Sequence, residues 1–143
     1  MEPVLGPLSA WRSLAAAHAR VARFLEEDLR SHADLPLEWF AVLSELDAAP
    51  EGRLRLSDLA DSVFMSRSGL TRLADRMQKA GMLRREECLS DGRGRYAALT
   101  TRGRASLRKA QPVYSAGIHR HFGRKIAGRE IAQLNTLLKP LLD

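Results

Sequence analysis

The amino-acid sequence predicts a mainly α-helical fold that carries one small β-hairpin. Within the stretch from Leu56 to Gly103, two short helical patterns are followed by two segments of alternating polarity around a glycine-rich tip. Residues 66–109 contain twelve Lys and Arg against four Asp and Glu, a net charge of +8, whereas the whole 143-residue chain carries +6. Helix, turn, helix and basic hairpin, in this order, predict a winged helix-turn-helix that docks on a polyanion such as duplex DNA.

The segments that precede this stretch predict two helices and a strand. Residues 9–31 place apolar side chains at spacings of three and four, which is typical of a helix with one apolar face. A second helix is expected from Pro36, which suits a first helical turn, to about Leu46. The alternating residues 53–56 then predict a short edge strand.

Serines mark the expected starts of the two helices in the central stretch. Ser57 and Ser66 each precede a helical pattern, and a serine oxygen can accept a hydrogen bond from an unpaired helix N–H. Gly81 stands where a residue in the left-handed region would end the second of these helices.

Two further helices are expected after the hairpin. Thr100 or Thr101 is expected to cap a long helix that continues to about His119 and bends near Pro112. A last helix is expected to begin near Arg129, because leucines and an isoleucine recur there at helical spacing.

The terminal helices predict a homodimer. They are apolar enough to need a partner surface, and a second copy of the chain would supply both that surface and a second DNA-reading head. We therefore expect a single domain over residues 1–143. In it, residues 1–34 and 104–143 form dimerisation helices around a DNA-binding lobe at residues 35–103.

The second helix of the central pair, residues 66–80, is the expected reading helix. Its N-terminal polar side chains would enter the major groove first, while its apolar side chains face the core. The residues expected at base edges are Ser66, Arg67, Ser68, Thr71 and Arg72, and those expected on phosphates are Arg76 and Lys79. The alternative is an ordinary solvated charged face, and the hairpin that follows favours groove insertion.

The hairpin tip is expected to contact DNA through arginine. Arg93 and Arg95 flank Gly94, and a narrow loop of this kind can place an arginine in a minor groove. Asp91 would repel phosphate, so we expect it to pair with Arg93 or to cap the turn. The alternative is a solvated hairpin without a DNA contact.

These residues resemble the MarR family of bacterial winged-helix regulators. The sequence DGRG at residues 91–94, followed by LTTRG at residues 99–103, is similar to the family's D-x-R-G and L-T-x-x-G signature. Residues 66–73 resemble the start of its recognition helix. The resemblance implies a homodimer joined through N- and C-terminal helices, and binding to a pseudo-palindromic operator, usually to repress. It also implies release by a small molecule or an oxidant that acts between the dimer helices and the DNA-reading lobe.

No short motif marks an effector site in this chain. If a pocket exists, we expect it near Trp11, His18, Trp39 and Tyr114, although Trp11, His18 and Trp39 are each more typical of a core or interface position. A small-molecule effector is therefore an expected partner whose identity the sequence does not encode.

The single cysteine, Cys88, excludes an intrachain disulfide and predicts a reducing compartment, the cytoplasm. Thiol-sensing members of the family place a cysteine in the first long helix, where this chain has none. Glu86 and Glu87 disfavour the thiolate of Cys88, so we expect an ordinary strand residue. The alternative is a redox response in which a modified sulfur displaces Arg93.

Other function classes find little support in the sequence. No apolar run approaches the ~20 residues of a membrane span, and the chain does not begin with a signal pattern. Neither zinc-protease, nucleophile-elbow nor P-loop motifs are present, so no catalysis, cofactor or metal is expected. His119 and His121, two residues apart on a helix, would point to different sides. Nonspecific or architectural DNA binding and a protein-interaction module remain as alternatives.

Overall fold

The fold is mainly helical with a small three-stranded sheet, as predicted. The computed structural model describes residues 6–88 and 94–143, without the side chain of Cys88. Its elements, in chain order, are α1 (Pro7–Ala33), α2 (Leu37–Ala48), β1 (Arg53–Arg55), α3 (Leu56–Ser62), α4 (Arg67–Lys79), β2 (Leu83–Cys88), β3 (Gly94–Leu99), α5 (Thr101–Ile118) and α6 (Gly128–Leu138). Short helical turns follow α2, α5 and α6 at Pro50–Gly52, His119–Gly123 and Lys139–Leu141.

The sheet has the order β1-β3-β2, and both pairings are antiparallel. β2 and β3 form the predicted hairpin, in register from Leu83 opposite Leu99 to Cys88 opposite Gly94. β1 lies at the edge, with Arg55 opposite Tyr96, which confirms the expected edge strand. The predicted tip, with Asp91 and Arg93, lies outside the described residues.

One hydrophobic core joins the helices to the sheet. Leu29 of α1 and Leu107 of α5 are fully buried in the same cluster as the apolar face of α4. The remaining large, fully buried members are Leu35, Val42, Leu43, Leu46, Leu59, Leu70, Leu73, Met77 and Leu83. Because a close-packed core transmits displacement, we expect a shift of α5 or α2 to displace α4 as well.

The helix boundaries confirm three of the predicted signals and correct one. Ser66 caps α4 by accepting a hydrogen bond from Gly69 N at 3.0 Å, and Thr100 caps α5 by accepting one from Gly103 N at 3.0 Å. Gly81 has a φ of 77°, the left-handed conformation expected at a helix end. Ser57 is not a cap: α3 begins at Leu56, because β1 runs directly into the helix and the extended residue Arg55 takes the capping position.

Both ends of the chain leave apolar side chains uncovered. The helix α1 begins two residues before the predicted range 9–31 and ends two residues after it, and α5 continues through Pro112 to Ile118. The exposed large apolar side chains near the two ends are Leu8, Trp11, Leu137, Leu141 and Leu142. None of the helices in the described ranges is both long and apolar enough to cross a membrane.

Candidate nucleic-acid interface

The helix α4 is held by its apolar face and presents its first turn outward. Leu70, Leu73, Ala74 and Met77 are buried, which fixes the helix against the core. On the opposite face, Arg67, Ser68 and Arg72 are exposed, and Thr71 is half-buried. The cap at Ser66 holds this first turn in helical geometry, so the polar side chains that it carries project from a rigid support.

A shallow groove runs between the start of α4 and the hairpin. It has a volume of about 350 Å³, and it is lined by Arg55, Leu56, Ser57, Arg67, Thr71, Gly94 and Arg95. The structure therefore brings together Arg67 and Thr71, expected in the major groove, and Arg95, expected on the wing. Three arginines on one concave surface give the groove a concentration of positive charge, which favours an anion.

Sequence reasoning missed Arg55, which it treated only as part of an edge strand. Its Nε donates a hydrogen bond to the Tyr96 hydroxyl oxygen at 3.1 Å, and its guanidinium lies 5.5 Å from the centre of the Tyr96 ring. Arg53 stacks on the same ring at 4.8 Å. These contacts orient positive charge beside the groove. The alternating Arg-Leu-Arg of β1 is the local sequence pattern that could have indicated these two arginines.

Hydrogen bonding limits what two of the predicted contact residues can offer. The Thr71 hydroxyl donates to the backbone oxygen of Arg67 at 2.9 Å, so its free lone pair can accept a hydrogen bond from a base amino group. Arg76 lies 3.6 Å from Glu38 of α2, a half-exposed ion pair that partly offsets the charge expected on a phosphate. Lys79 is exposed near the end of α4.

A second ion pair joins α4 to the hairpin. Arg85 of β2 donates to the carboxylate of Asp75 on α4. The pair links the outward side of α4 to the second strand of the sheet. A partly exposed pair of this kind adds little stability.

The four residues predicted for an effector pocket do not meet within one chain. Trp11 and His18 are exposed on α1, and Trp39 is half-buried against the core. Of these four residues, only Tyr114 lines the cavity of about 490 Å³ that lies between α2, the end of α3 and α5. The other lining residues are Leu37, Phe40, Ala41, Ser44, Glu45, Ser62, Val63, Phe64, Gln111 and Ser115.

The histidines near the end of α5 do not form a metal site with their neighbours. His121 Nε2 lies 2.8 Å from the Asp28 carboxylate and its ring stacks on Phe24, whereas His119 is exposed. Across residues 6–88 and 94–143, no group of three or more His, Cys, Asp or Glu side chains is placed to hold a metal ion.

Replacing Ser66 with alanine is expected to cost about 1 kcal/mol of unfolding free energy, because the Gly69 N–H loses its acceptor. The melting temperature should fall by about 3 °C. Ser68→Ala is the matched control: the Ser68 hydroxyl lies 3.5 Å from Ser66 Oγ and does not cap a helix N–H, so its loss should lower the melting temperature much less. Equal melting temperatures for both variants would contradict the capping role of Ser66.

Comparison with known proteins agrees with this architecture. A sequence profile of the MarR family matches residues 33–94. The chain is 30% identical over 138 residues to YkoM of Bacillus subtilis, an uncharacterized HTH-type transcriptional regulator, and the match covers 96% of this chain and 87% of YkoM.

Two solved structures from Streptomyces coelicolor show the same fold. AbsC, a MarR family transcriptional regulator, superposes with a TM-score of 0.86 at 34% identity, covering 93% of this chain and 89% of AbsC. Sco3205, a MarR family regulator solved in complex with DNA, superposes with a TM-score of 0.86 at 28% identity, covering 93% of this chain and 83% of Sco3205. The chain therefore belongs to the MarR family, whose members are transcriptional regulators and not enzymes.

Proposed function

We propose that this regulator binds a pseudo-palindromic operator as a homodimer, represses transcription there, and is released by a small molecule. The observation that carries the proposal is the groove in which Arg67, Thr71 and Arg95 lie together. It joins the first turn of the reading helix to the wing, so a single docked duplex would contact both. Because this function requires contact with chromosomal DNA, we place the protein in the cytoplasm.

The chemistry of the groove supports base reading. An exposed arginine at a helix start can donate two hydrogen bonds to guanine O6 and N7, and Thr71 can accept one from adenine or cytosine. Arg67, Ser68 and Arg72 project from the capped end of α4, the end that enters a major groove first. The Sco3205 complex supports the same use of the fold, since that relative was solved with DNA.

The uncovered apolar ends support the homodimer. Leu8 and Trp11 at the start of α1 are each 64% exposed, and Leu137, Leu141 and Leu142 at the other end are at least 72% exposed. A second copy that buries both ends would bring a second α4, and a two-fold operator has half-sites about one DNA turn apart, roughly 34 Å, for two such helices. Such a dimer, seated across promoter DNA, would exclude polymerase, which is the basis on which we assign repression.

The cavity between α2, α3 and α5 supports effector release. Ser62, Val63 and Phe64 line it, and they lie at the turn that leads into α4. A molecule held there would press on α5 and on this turn at once. The dimer helices and the reading helix would then move relative to each other, and the spacing of the two heads would no longer match the operator.

Selection of bound sequences from a random duplex library by the purified protein tests the proposal. An enriched inverted repeat with half-site centres about one turn apart is the expected result. Binding that declines evenly with salt and hardly varies with sequence would instead indicate a nonspecific or architectural protein. Operator affinity that changes on oxidation, and no longer does so after Cys88→Ser, would favour the redox alternative over a small-molecule effector.

Replacing Arg93 with alanine is expected to lower operator affinity at least tenfold, because the DGRG sequence predicts an arginine at the hairpin tip that enters a minor groove. The dimer and the melting temperature should stay nearly unchanged. Arg84→Ala is the matched control: Arg84 lies on β2, is exposed and pairs with Glu86. Binding to a labelled operator is measured by fluorescence anisotropy. Loss of the dimer in Arg93→Ala would contradict a wing contact.

A further inference from the structure

We propose that the cavity between α2, α3 and α5 selects a planar aromatic cation and discriminates against aromatic carboxylates. The inference names the class of ligand for the effector function proposed above. It depends on that function only in assuming that occupancy of the cavity releases DNA. The selectivity itself concerns the cavity alone and can be measured without DNA.

Aromatic walls give the cavity its shape preference. Phe40 and Tyr114 stack with their ring centres 4.4 Å apart, and both line the cavity together with Val63. Phe64 lines it as well, although its side chain is 91% exposed, so it stands at the opening. The volume of about 490 Å³ is within the range of small-molecule sites. Flat rings pack well on such walls, and the faces of Phe and Tyr attract cations.

Phe64 has a backbone conformation that large residues rarely adopt. Its φ of 58° lies in the left-handed region, and its N–H donates to the backbone oxygen of Asp61 at 3.3 Å. The turn between α3 and α4 thus holds an aromatic ring outward at the edge of the cavity, where a bound molecule can cover it. A ligand that stacks there would bury apolar surface that a single chain leaves in water.

The charge of the lining gives the cavity its electrostatic preference. Glu45 is the one lining residue with a formal charge, and none of the described lining residues is Lys, Arg or His. Elsewhere on α2, Glu38 pairs with Arg76 and Asp47 pairs with Arg104. Within the described part of the chain, the Glu45 carboxylate makes no ion pair and no hydrogen bond, and it is half-buried.

A carboxylate and an aromatic wall together select a cation. An ammonium or amidinium group can donate a charge-assisted hydrogen bond to Glu45 while its ring packs against the half-buried Tyr114 and the exposed Phe64. The neutral polar residues Ser44, Ser62, Gln111 and Ser115 can bond to further heteroatoms. An aromatic acid would instead meet a like charge, with no cationic residue in the described lining to offset it.

Three probes with one ring system and different charges test this selectivity. Binding of 1-naphthylmethylammonium, 1-naphthalenemethanol and 1-naphthoate to the full chain is measured by titration calorimetry at neutral pH and low salt. We expect the ammonium probe to bind at least about tenfold more tightly than the naphthoate, with the alcohol between them. This order in the unaltered protein tests the proposal without any substitution. Equal or tighter binding of the naphthoate would overturn it.

Glu45→Gln locates the selectivity. The variant should bring the ammonium and alcohol probes within about twofold of each other, because the remaining amide carries no charge. Asp61→Asn is the matched control: this exposed carboxylate lies on α3 and does not line the cavity, so the order of the probes should persist. A preference for the ammonium probe that is unchanged in Glu45→Gln would overturn the assignment to this residue.

Operator release separates this inference from the proposed function. The same probes are titrated into the complex of the protein with its selected operator. If the probes bind in the expected order but none lowers operator affinity, the cation selectivity stands and the effector role fails. If the naphthoate binds best and releases the operator, the effector role stands and the cation class is overturned.

Discussion

Replacing Gly103 with alanine is expected to lower the free energy of unfolding by about 3 kcal/mol or more, beyond the usual cost of an added methyl group in a packed core. A Cβ at this position would lie 1.9 Å from the backbone oxygen of Met82 and 2.9 Å from its carbonyl carbon. A flexible side chain could rotate away, but the Met82 oxygen belongs to the backbone and accepts a hydrogen bond from Thr100 N at 3.4 Å. The start of α5 would therefore have to move off the sheet.

Thermal unfolding at a fixed protein concentration measures the effect. A loss of 3 kcal/mol corresponds to a decrease in melting temperature of about 10 °C for a domain of this size. Gly128→Ala is the matched control, because nothing lies within 4 Å of the Cβ that it would add at the start of α6. Its melting temperature should be unchanged or slightly higher. A Gly103→Ala protein that melts within about 2 °C of the unaltered chain would contradict the close approach.

The contacts at the start of α5 give a physical reason for the occurrence of Thr100 and Gly103 in the wing signature. Thr100 accepts a hydrogen bond from Gly103 N and donates one to the backbone oxygen of Gly81 at 2.6 Å. Its side chain thus joins the start of α5 to the end of α4, while Gly103 lets the two segments approach closely. The resemblance alone identified the motif, and the contacts show that it fixes the reading helix against α5.

Features that depend on local sequence were predictable. The cap at Ser66, the left-handed Gly81 and the two strands of the hairpin are each specified by a few adjacent residues, and all three are confirmed. The prediction that Ser57 caps a helix was wrong, because it depended on the structure of the residues before Ser57. β1 ends at Arg55 and α3 begins at the next residue, so Ser57 already lies inside the helix.

Features that depend on tertiary contact were not predictable. The groove joins residues from β1, α3, α4 and β3, so no local pattern could place Arg55 beside Arg95. The cavity likewise combines three helices, and sequence reasoning found only Tyr114 among its lining residues. It favoured Trp11 and His18 as aromatic and titratable residues on α1, but in a single chain both face solvent.

Replacing Arg67 with alanine is expected to lower operator affinity by at least about 30-fold, the largest effect on binding that we predict for a single substitution. A good bidentate contact to a base contributes about 1–3 kcal/mol of discrimination, and a homodimer loses two such contacts at once. Stability should be unaffected, because the Arg67 side chain is exposed and only its backbone oxygen accepts a bond, from Thr71. Operator binding is measured by fluorescence anisotropy over a range of salt concentrations.

The salt series decides which kind of contact Arg67 makes. A residue that reads a base should leave the slope of log affinity against log salt nearly unchanged and relax the preference at one position of each half-site. A residue that contacts phosphate should reduce that slope by about two per dimer and weaken all sequences alike. Arg108→Ala is the matched control, because Arg108 is exposed on α5 and does not line the groove. If Arg67→Ala and Arg108→Ala lose equally little affinity, the groove is not the reading surface, and the proposal that rests on it fails.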